Sequence, residues 1–279
     1  MKRLLSIQDL SCVGKCSLTV ALPVLAAMEL ECGVLPTAVL STHTGFPNPE
    51  ILPLTERMVP FAAHWREAGV HFDAAAVGYL SCPEQTQAVA TVLEQLDIPL
   101  TVLDPVLGDN GRLYRGVAPG QVEALRSLCG KADVLVPNLT EAAFLAGVPL
   151  REDCDPAALH GLAGTLLSLG SKAVVITGLR RGKGIGVWGA CRDGKCFSHF
   201  EPYIPRQLHG TGDLFTAVFA GALTEGRTMA DAAALAAGFV RRSVARTPEV
   251  TPFGVRFEAA LPWLRRHTRR RPSLMEKNC

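Results

Sequence analysis

Short runs of apolar residues alternate with longer helical segments along most of this chain, and this alternation restricts the fold more than any other feature. Six runs are apolar throughout, which is typical of strands buried on both faces: 3–8, 34–40, 74–79, 100–106, 133–138 and 173–178. Segments with helical spacing follow them: 17–30, 83–96, 119–130, 140–147 and 155–170. The pattern predicts an α/β fold, a central mostly parallel sheet flanked by helices on both faces.

Nothing in the chain suggests a second domain. We find no linker and no internal repeat, so we predict one domain over residues 1–267. Residues 184–190 and 195–201 surround an Asp-Gly turn and predict a hairpin at the edge of the sheet. The basic run RRHTRRRPSLMEKNC closes the chain and predicts a solvated, poorly ordered tail, with residues 268–279 wholly outside the domain.

Composition excludes several classes of protein. A net charge of +2 without a basic stripe gives no nucleic-acid footprint. No apolar run reaches the ~18 residues of a membrane span, and the start lacks the features of a signal peptide. The nine cysteines are an odd number scattered over predicted strands and helices, as suits a reducing compartment. We therefore expect a cytoplasmic protein that binds neither nucleic acid nor a membrane.

The stretch HGTGDLFTAVFAGAL, residues 209–223, joins a glycine turn to an apolar helix, with Asp213 in the first turn. Two interpretations stay open. Asp213 caps the helix and faces the positive end of its dipole. Alternatively, Gly210, Thr211 and Gly212 present backbone N–H groups to an anion while Asp213 performs proton chemistry beside it.

Polar side chains follow each of the predicted strands. Ligands of doubly wound sheets bind at the carboxyl ends of the strands, so these side chains are expected to share one rim. They are Asp9, His43, Thr44, Tyr79, Asp104, Asp109, Asn138, Glu141 and Thr177.

A glycine turn for an anion and several carboxylates at one rim favour phosphoryl transfer. Other phosphate and hydrolase motifs are missing from the sequence. GLRRGKGIG, residues 178–186, lacks the spacing of a Walker A loop, so its glycines are interpreted as turn residues. No GxGxxG follows the first strand, and no GxSxG occurs.

Five motifs in order resemble a known family. GTGD before an apolar helix resembles the C-terminal motif of the ribokinase superfamily, and DPVLGD (104–109) and PNLTEA (137–142) narrow the resemblance to the pyridoxal kinases. SIQDLSCVG (6–14) and STHTGF (41–46) are similar to that family's substrate-facing segments. The resemblance implies a ribokinase-like fold, ATP as co-substrate, Mg²⁺, and transfer to the 5′-hydroxymethyl group of a B6 vitamer in a homodimer. The segment before Thr44 is too short for a separate β-lid.

The resemblance also assigns roles at the centre of the reaction. Asp213 corresponds to the catalytic base. Gly210, Thr211 and Gly212 correspond to the anion hole that receives the γ-phosphoryl charge. Asp104 and Glu141 correspond to acids near Mg²⁺ and its water shell, although Glu141 also suits the first turn of a helix.

The remaining roles concern the nucleotide and the vitamer. Asn138 corresponds to a residue beside the triphosphate, and Thr177 to a nucleotide contact. Asp109 is assigned to the nucleotide phosphates or a monovalent cation. Tyr114 lies in GRLYRG, residues 111–116, which corresponds to the family's flap over ATP. His43, Thr44 and Tyr79 correspond to residues that line the pyridine ring.

One departure bears on the substrate. The family usually carries serine at the position of Asp9. A carboxylate there predicts a preference for pyridoxamine, whose ammonium would pair with it. In the alternative, Asp9 turns away, caps the helix near Ser17 or bonds the backbone of LSCVG.

Two other functions remain as alternatives. One is a hydroxymethylpyrimidine kinase of the same fold, although that family tends to carry cysteine at the position of Asp213. The other is a non-catalytic vitamer-binding protein, against which an intact Asp213 argues.

Overall fold

The computed structural model describes residues 1–151 and 155–268. Its strands, in chain order, are β1 (Arg3–Ser11), β2 (Glu31–Leu40), β3 (Ile51–Pro53), β4 (Ala74–Val77), β5 (Thr101–Leu103), β6 (Gly108–Asp109), β7 (Arg112–Leu113), β8 (Val134–Leu135), β9 (Ala173–Arg181), β10 (Gly184–Cys191) and β11 (Cys196–Pro202).

The helices are distributed between these strands. They are α1 (Leu18–Ala27), α2 (Thr55–Glu67), α3 (Glu84–Gln95), α4 (Gln121–Cys129), α5 (Leu139–Ala146), α6 (Pro156–Ser168), α7 (Thr211–Thr224), α8 (Met229–Ala245) and α9 (Leu261–Thr268).

One large sheet organises the domain. Its order is β11-β10-β9-β8-β5-β4-β1-β2-β3, while β6 and β7 form a separate two-stranded hairpin. The pairs from β9 to β2 are parallel, and the antiparallel β10, β11 and β3 lie at the two edges. The predicted single-domain α/β fold with a mostly parallel sheet is confirmed, and so is the edge hairpin.

Alternate residues of the strands bury their side chains on opposite faces, as a pleated strand requires. Leu4 packs with α1, α7 and α8, whereas its neighbour Leu5 packs with α2 and α3 on the other face. Both faces are apolar because both are covered by helices, which explains the continuous apolar runs in the sequence.

A bulge lies beside Asp9. The pairing of β1 with β2 slips by one residue between Gln8 and Leu10, so β2 has one extra residue opposite this point. Pro36 donates no N–H to a ladder, which suits an irregular pairing. β1 itself continues to Ser11, beyond the predicted end at residue 8.

Several elements were not predicted, among them β3 and α2. The edge strand β3 is exposed along its length, and α2 contains Pro60. Their mixed polar surfaces hide the apolar pattern, since only Met58 and Ala62 of α2 are buried.

The C-terminal prediction is partly wrong. The first four residues of the basic run belong to α9, where Arg265 pairs with Glu29 and His267 stacks on Trp263 at 4.0 Å between ring centroids. Apolar contacts of this short helix with α1 and α8 hold it. Residues 269–279 lie outside the described residues, so the tail itself stays a prediction. Across the described ranges, no helix is both long enough and apolar enough to cross a membrane.

Candidate active site

The start of α7 contains one position, Gly210, whose backbone only glycine fits. Gly210 has φ +85°, and a Cβ there would lie 2.2 Å from the carbonyl oxygen of Lys15. A Cβ on Gly212 would meet open space. The first amides of a helix have no acceptor inside it, so the open side of this turn presents N–H groups to a cleft. Such a turn is compatible with the predicted anion hole, and that role stays a prediction.

Three chain segments hold this turn in place. The Lys15 amide donates to the Phe253 carbonyl at 3.0 Å, and the Val255 amide donates to the His209 carbonyl at 3.0 Å. Lys15 also pairs with Glu258 at 2.5 Å. The loop after β1, the turn before α7 and residues 251–258 thus form one connected support.

Asp213 faces the cleft from the first turn of α7 and keeps partial access to solvent. Burial among protein atoms raises the pKa of its carboxyl to about 7, and the charges of Asp104 and Asp9 act in the same direction. The Ser17 amide and the Cys16 thiol interact with the carboxyl and lower this pKa. A carboxyl with a pKa near neutrality suits a group that takes up and releases a proton.

Asp104 directly follows β5 and contacts α7. The hydroxyl of Thr216, one helical turn after Asp213, donates to its Oδ2 at 2.7 Å. Burial raises the pKa of Asp104 to about 6, while the Thr216 bond lowers it. Thr216 was missed from the sequence, although its spacing of three residues from Asp213 puts both on one helix face.

Glu141 is 3% exposed and forms a capping box with Asn138. Its carboxylate accepts N–H bonds from Leu107 at 3.1 Å and Asn138 at 2.8 Å. Burial, followed by the charge of Asp104, raises its pKa well above the ordinary value. The capping role weighed from the sequence is therefore present, and the charge of Asp104 acts on the same carboxyl.

Asn138 and Thr177 sit side by side at the ends of neighbouring strands, joined by a parallel bridge. The Asn138 side-chain N–H₂ donates to the Gly108 carbonyl at 2.8 Å, while its oxygen caps α5. The Thr177 hydroxyl reaches the Pro137 carbonyl at 3.4 Å. Both predicted nucleotide contacts thus lie at the expected rim.

Asp109 and Tyr114 belong to the exposed side of the cleft. Asp109 accepts bonds from the backbone and side chain of Asn110. Tyr114 is 41% exposed, and its phenol pKa is raised by burial first and then by Glu141, Asp109 and Asp104. The flap tyrosine therefore stands close to the predicted metal and nucleotide carboxylates.

Asp9 is 2% exposed and accepts a 2.8 Å bond from the Ser11 hydroxyl. Burial raises its pKa, and interactions with the Ser17 and Ser11 hydroxyls oppose that shift. One alternative weighed from the sequence was a bond from Asp9 to the backbone of LSCVG. The structure shows a bond within this segment, but its donor is the Ser11 side chain. Asp9 still influences the pKa of Tyr79, so the two side chains are neighbours.

Ser17 was also missed from the sequence. It is buried before α1 with φ +50° and ψ −124°, a conformation that non-glycine residues rarely adopt. Such strain clusters at functional sites. The sequence carries no signal for it, because nothing in CVGKCS requires a positive φ at serine.

His43 and Thr44 differ in what they offer a ligand. The His43 ring donates through Nε2 to the Pro252 carbonyl at 2.7 Å and accepts through Nδ1 from the Gly45 amide at 3.0 Å. Both nitrogens are therefore committed to backbone, and the ring packs on His209. Thr44 and Tyr79 line a common cleft with Tyr114, and only these three predicted residues are brought together there.

The site has features that fit Mg²⁺. Glu141 is buried and Asp104 is half-buried, the charge of Asp104 raises the pKa of Glu141, and no cation pairs with either carboxyl among the described residues. That part of the chain contains no cluster of three or more metal-ligating side chains. Mg²⁺ commonly uses one or two carboxylates and completes its shell with water and substrate phosphates, so this donor set fits.

Comparison with known proteins identifies the family. Residues 26–255 match the model of the family described as phosphomethylpyrimidine kinase. The chain belongs to this family. It is therefore a phosphotransferase, and its fold is ribokinase-like, as expected from the motifs.

Two relatives show the spread of activities. The pyridoxine/pyridoxal/pyridoxamine kinase of Bordetella pertussis is 30% identical over 265 residues, 88% of this chain and 89% of that protein. The hydroxymethylpyrimidine/phosphomethylpyrimidine kinase of Helicobacter pylori is 30% identical over 165 residues, 56% of this chain and 58% of that protein.

Two crystal structures resemble the fold along nearly its whole length. Pyridoxal kinase of Lactobacillus plantarum is 36% identical with a TM-score of 0.87, covering 95% of this chain and 96% of that one. A Bacteroides thetaiotaomicron protein, provisionally named a phosphomethylpyrimidine kinase and crystallised with pyridoxal, is 35% identical with a TM-score of 0.89, covering 94% and 95%.

Proposed function

We propose that this protein is an ATP-dependent kinase that phosphorylates the 5′-hydroxymethyl group of a B6 vitamer. The observation that carries the proposal is Asp213, whose carboxyl has a pKa of about 7 and lies beside the open amides of a helix start. Relatives named as pyridoxal kinases, and one crystallised with pyridoxal, support the choice of substrate.

In the proposed reaction, the 5′-hydroxyl of the vitamer donates its proton to Asp213 as its oxygen attacks the γ-phosphorus of ATP. The bond from that phosphorus to the bridging oxygen breaks, and ADP leaves. The amides of Gly210, Thr211 and Gly212, together with the helix dipole, stabilise the charge on the phosphoryl oxygens.

On the nucleotide side, Asn138, Thr177 and Asp109 are proposed to face ATP, with Tyr114 covering it. Asp104 and Glu141 would hold Mg²⁺, directly or through its water. When bound, Mg²⁺ supplies positive charge that offsets the phosphates. A Glu141→Gln enzyme with an unchanged Mg²⁺ requirement would remove Glu141 from this role. A monovalent cation at Asp109 stays a prediction.

The decisive experiment is ATP turnover with pyridoxal, pyridoxamine, pyridoxine and hydroxymethylpyrimidine, each against a blank. The proposal expects ADP formation that depends on a vitamer. The second candidate, a hydroxymethylpyrimidine kinase, is favoured by the family model and by the Helicobacter pylori relative. Turnover with the pyrimidine alone would establish it instead, and vitamer binding without turnover would indicate a non-catalytic binding protein.

A preference for pyridoxamine is proposed from Asp9. The Ser11 hydroxyl occupies one of its oxygens, so the pairing depends on the other. Its position beside Tyr79 supports the idea. A charged contact is worth ~1.5–3 kcal/mol, or about ten- to a hundred-fold in selectivity. Comparing kcat/KM for the three vitamers in wild type and Asp9→Ser tests this, and selectivity that the substitution leaves unchanged would refute it.

A homodimer and a cytoplasmic location are carried over from the family resemblance and the cysteine content. Light scattering coupled to gel filtration measures the oligomeric state. A monomer at working concentrations would contradict it.

A further inference from the structure

The loop between β1 and α1 contacts the proposed base but performs no step of the proposed reaction. Ser17, the residue before α1, is 5% exposed and has φ +50° and ψ −124°. Glycine adopts this conformation readily, whereas the Cβ atom of serine is crowded in it. A strained backbone persists only where the surrounding structure determines it, so the contacts of Ser17 indicate what the strain serves.

Hydrogen bonds fix the backbone on both sides of Ser17. Its carbonyl oxygen accepts the Val20 and Ala21 amides at 3.0 and 2.9 Å, where α1 begins. The carbonyl of Cys16 accepts the Thr19 hydroxyl at 2.7 Å. Because α1 fixes the far side of Ser17, a return to negative φ requires the Cys16–Ser17 peptide plane to rotate. That rotation would break the bond from Thr19.

The same peptide plane carries a donor for the proposed base. The Ser17 amide and the Cys16 thiol both interact with the Asp213 carboxyl. Burial raises the pKa of the Cys16 thiol, so the sulfur keeps its proton and acts as a donor. Rotation of the peptide plane would take the Ser17 amide away from Asp213. The positive φ of Ser17 is thus the conformation that keeps two donors on this carboxyl.

The Ser17 side chain has a different partner. Its hydroxyl interacts with the carboxylate of Asp9, a residue that is 2% exposed and also accepts the Ser11 hydroxyl at 2.8 Å. A hydrogen bond to a charged acceptor is about twice as strong as a neutral one. The contact with Asp9 therefore offsets part of the strain in the Ser17 backbone.

We propose that Asp9 and Ser17 are positioning residues for the base. The Asp9 carboxylate holds the Ser17 hydroxyl, this bond keeps the Ser17 backbone at positive φ, and the Ser17 amide orients the Asp213 carboxyl for proton transfer. A catalytic group displaced by about 1 Å loses up to about 100-fold in rate. The inference rests on the proposed function, because it concerns the same base. The positioning role applies to every vitamer, unlike the preference proposed from the charge of Asp9.

The test compares two substitutions of Ser17 by their kcat with pyridoxine. Ser17→Ala keeps the crowded Cβ atom and loses the hydroxyl, so the peptide plane relaxes. We expect kcat to fall about ten- to a hundred-fold while KM for ATP changes less than about threefold. Ser17→Gly also loses the hydroxyl, but it adopts the same φ and ψ without strain and should restore most of the lost kcat. A Ser17→Gly enzyme as slow as Ser17→Ala would overturn the proposal, and so would a Ser17→Ala enzyme as fast as wild type.

A double-mutant cycle shows whether Asp9 acts through Ser17. Asp9→Ala should lower kcat by a similar factor for all three vitamers. In the Ser17→Gly background it should lower kcat less than about threefold, because glycine holds this conformation without the hydroxyl bond. Additive losses would refute the link between the two residues. Ser11→Ala is the matched control, since it removes the other hydroxyl bonded to Asp9 and leaves the Ser17 contact in place. Its kcat should stay within about threefold of wild type.

The carbon-13 shift of the Asp213 carboxyl, titrated in the protein without substrates, gives a readout that does not need turnover. Loss of the Ser17 amide should raise the pKa of Asp213 in Ser17→Ala, and Ser17→Gly should keep the wild-type value. The charges of Asp104 and Asp9 and the Cys16 thiol act on this carboxyl in all three proteins. Equal pKa values in the three proteins overturn the proposal, even when the wild type phosphorylates vitamers. A wild type that phosphorylates no vitamer refutes the proposed function instead, and the titration then decides the positioning role by itself.

Discussion

The two sides of the cleft are built in opposite ways. The start of α7 is held by the loop after β1 and by residues 251–258, and partial burial there raises the pKa of Asp213. The flap, residues 111–116, is exposed throughout and is tied to α5 through the Gly111 amide and the Thr140 hydroxyl at 3.0 Å. The proposed base therefore lies in a preorganised setting, whereas the segment proposed to cover the nucleotide is exposed to solvent.

The largest effect on activity is expected at the start of α7. Asp213→Asn removes the base but keeps the size and most hydrogen bonds of the side chain. We expect kcat to fall ~10²–10⁴-fold with ATP and vitamer still bound. A cap alone would cost about 1 kcal/mol of stability and little rate. Steady-state kinetics with parallel binding measurements decide, and a variant that keeps most of its kcat would show that Asp213 is structural.

The start of α7 should also tolerate an added Cβ atom least. Gly210→Ala combines a positive φ with a contact of 2.2 Å to the Lys15 carbonyl oxygen, so it costs at least about 1–3 kcal/mol. Gly116 in the flap has φ +87°, and a Cβ there meets nothing within 4 Å. Gly116→Ala therefore carries the strain without the clash. Urea unfolding of both variants measures the difference, and equal losses would contradict the contrast between the two regions.

The raised pKa values of two site carboxyls also predict a dependence of stability on pH. The pKa values of about 7 for Asp213 and about 6 for Asp104 exceed those of the unfolded chain, near 3.9. The folded protein then binds more protons than the unfolded one between these values. The stability that this provides is fully present below about pH 4 and is lost as pH rises through 6 and 7.

Asp213→Asn isolates this contribution. The variant should gain in Tm relative to wild type as pH rises from about 5 to about 8, because it no longer carries a desolvated charge. Glu258 lies near the same support, but its pKa is lowered, chiefly through its bond to Lys15 against the effect of burial. Glu258→Gln should therefore show no such gain. A Tm difference that is independent of pH would refute the raised pKa of Asp213.

The sequence predicted the sheet and most of the rim for a physical reason. Strands buried on both faces leave uninterrupted apolar runs, and parallel strands bring their carboxyl ends together without further information. The exposed β3 and the half-exposed α2 leave no such pattern. Thr216 could not be predicted as a site residue for a different reason. Its hydroxyl acts through a bond to Asp104, and the two positions are 112 residues apart in the sequence.

His43 shows a second limit. Its motif assigned it to the pyridine ring, but the structure engages both ring nitrogens with backbone groups of two separate segments. A sequence motif reports which residue occupies a position and not which of its atoms remain free. The Ser17 conformation likewise depends on tertiary packing, and so does the Gln121 side-chain oxygen, which has no hydrogen-bond partner among the described residues.

The smallest effect on stability is expected in the flap. Tyr114 and Leu113 are each 41% exposed, so replacing either with Ala should change the free energy of unfolding by less than about 0.5 kcal/mol. Of these two residues, Tyr114 is the one whose pKa the site carboxylates raise and that lines the cleft with Thr44 and Tyr79. Tyr114→Ala should therefore raise KM for ATP several-fold and admit water to the phosphoryl group. The measurement is the number of ADP molecules formed per vitamer phosphorylated, which should stay near one in Leu113→Ala and exceed it in Tyr114→Ala. If both variants kept this ratio at one, water exclusion would have to come from the enclosed side of the cleft, and the division of labour between the two sides would be wrong.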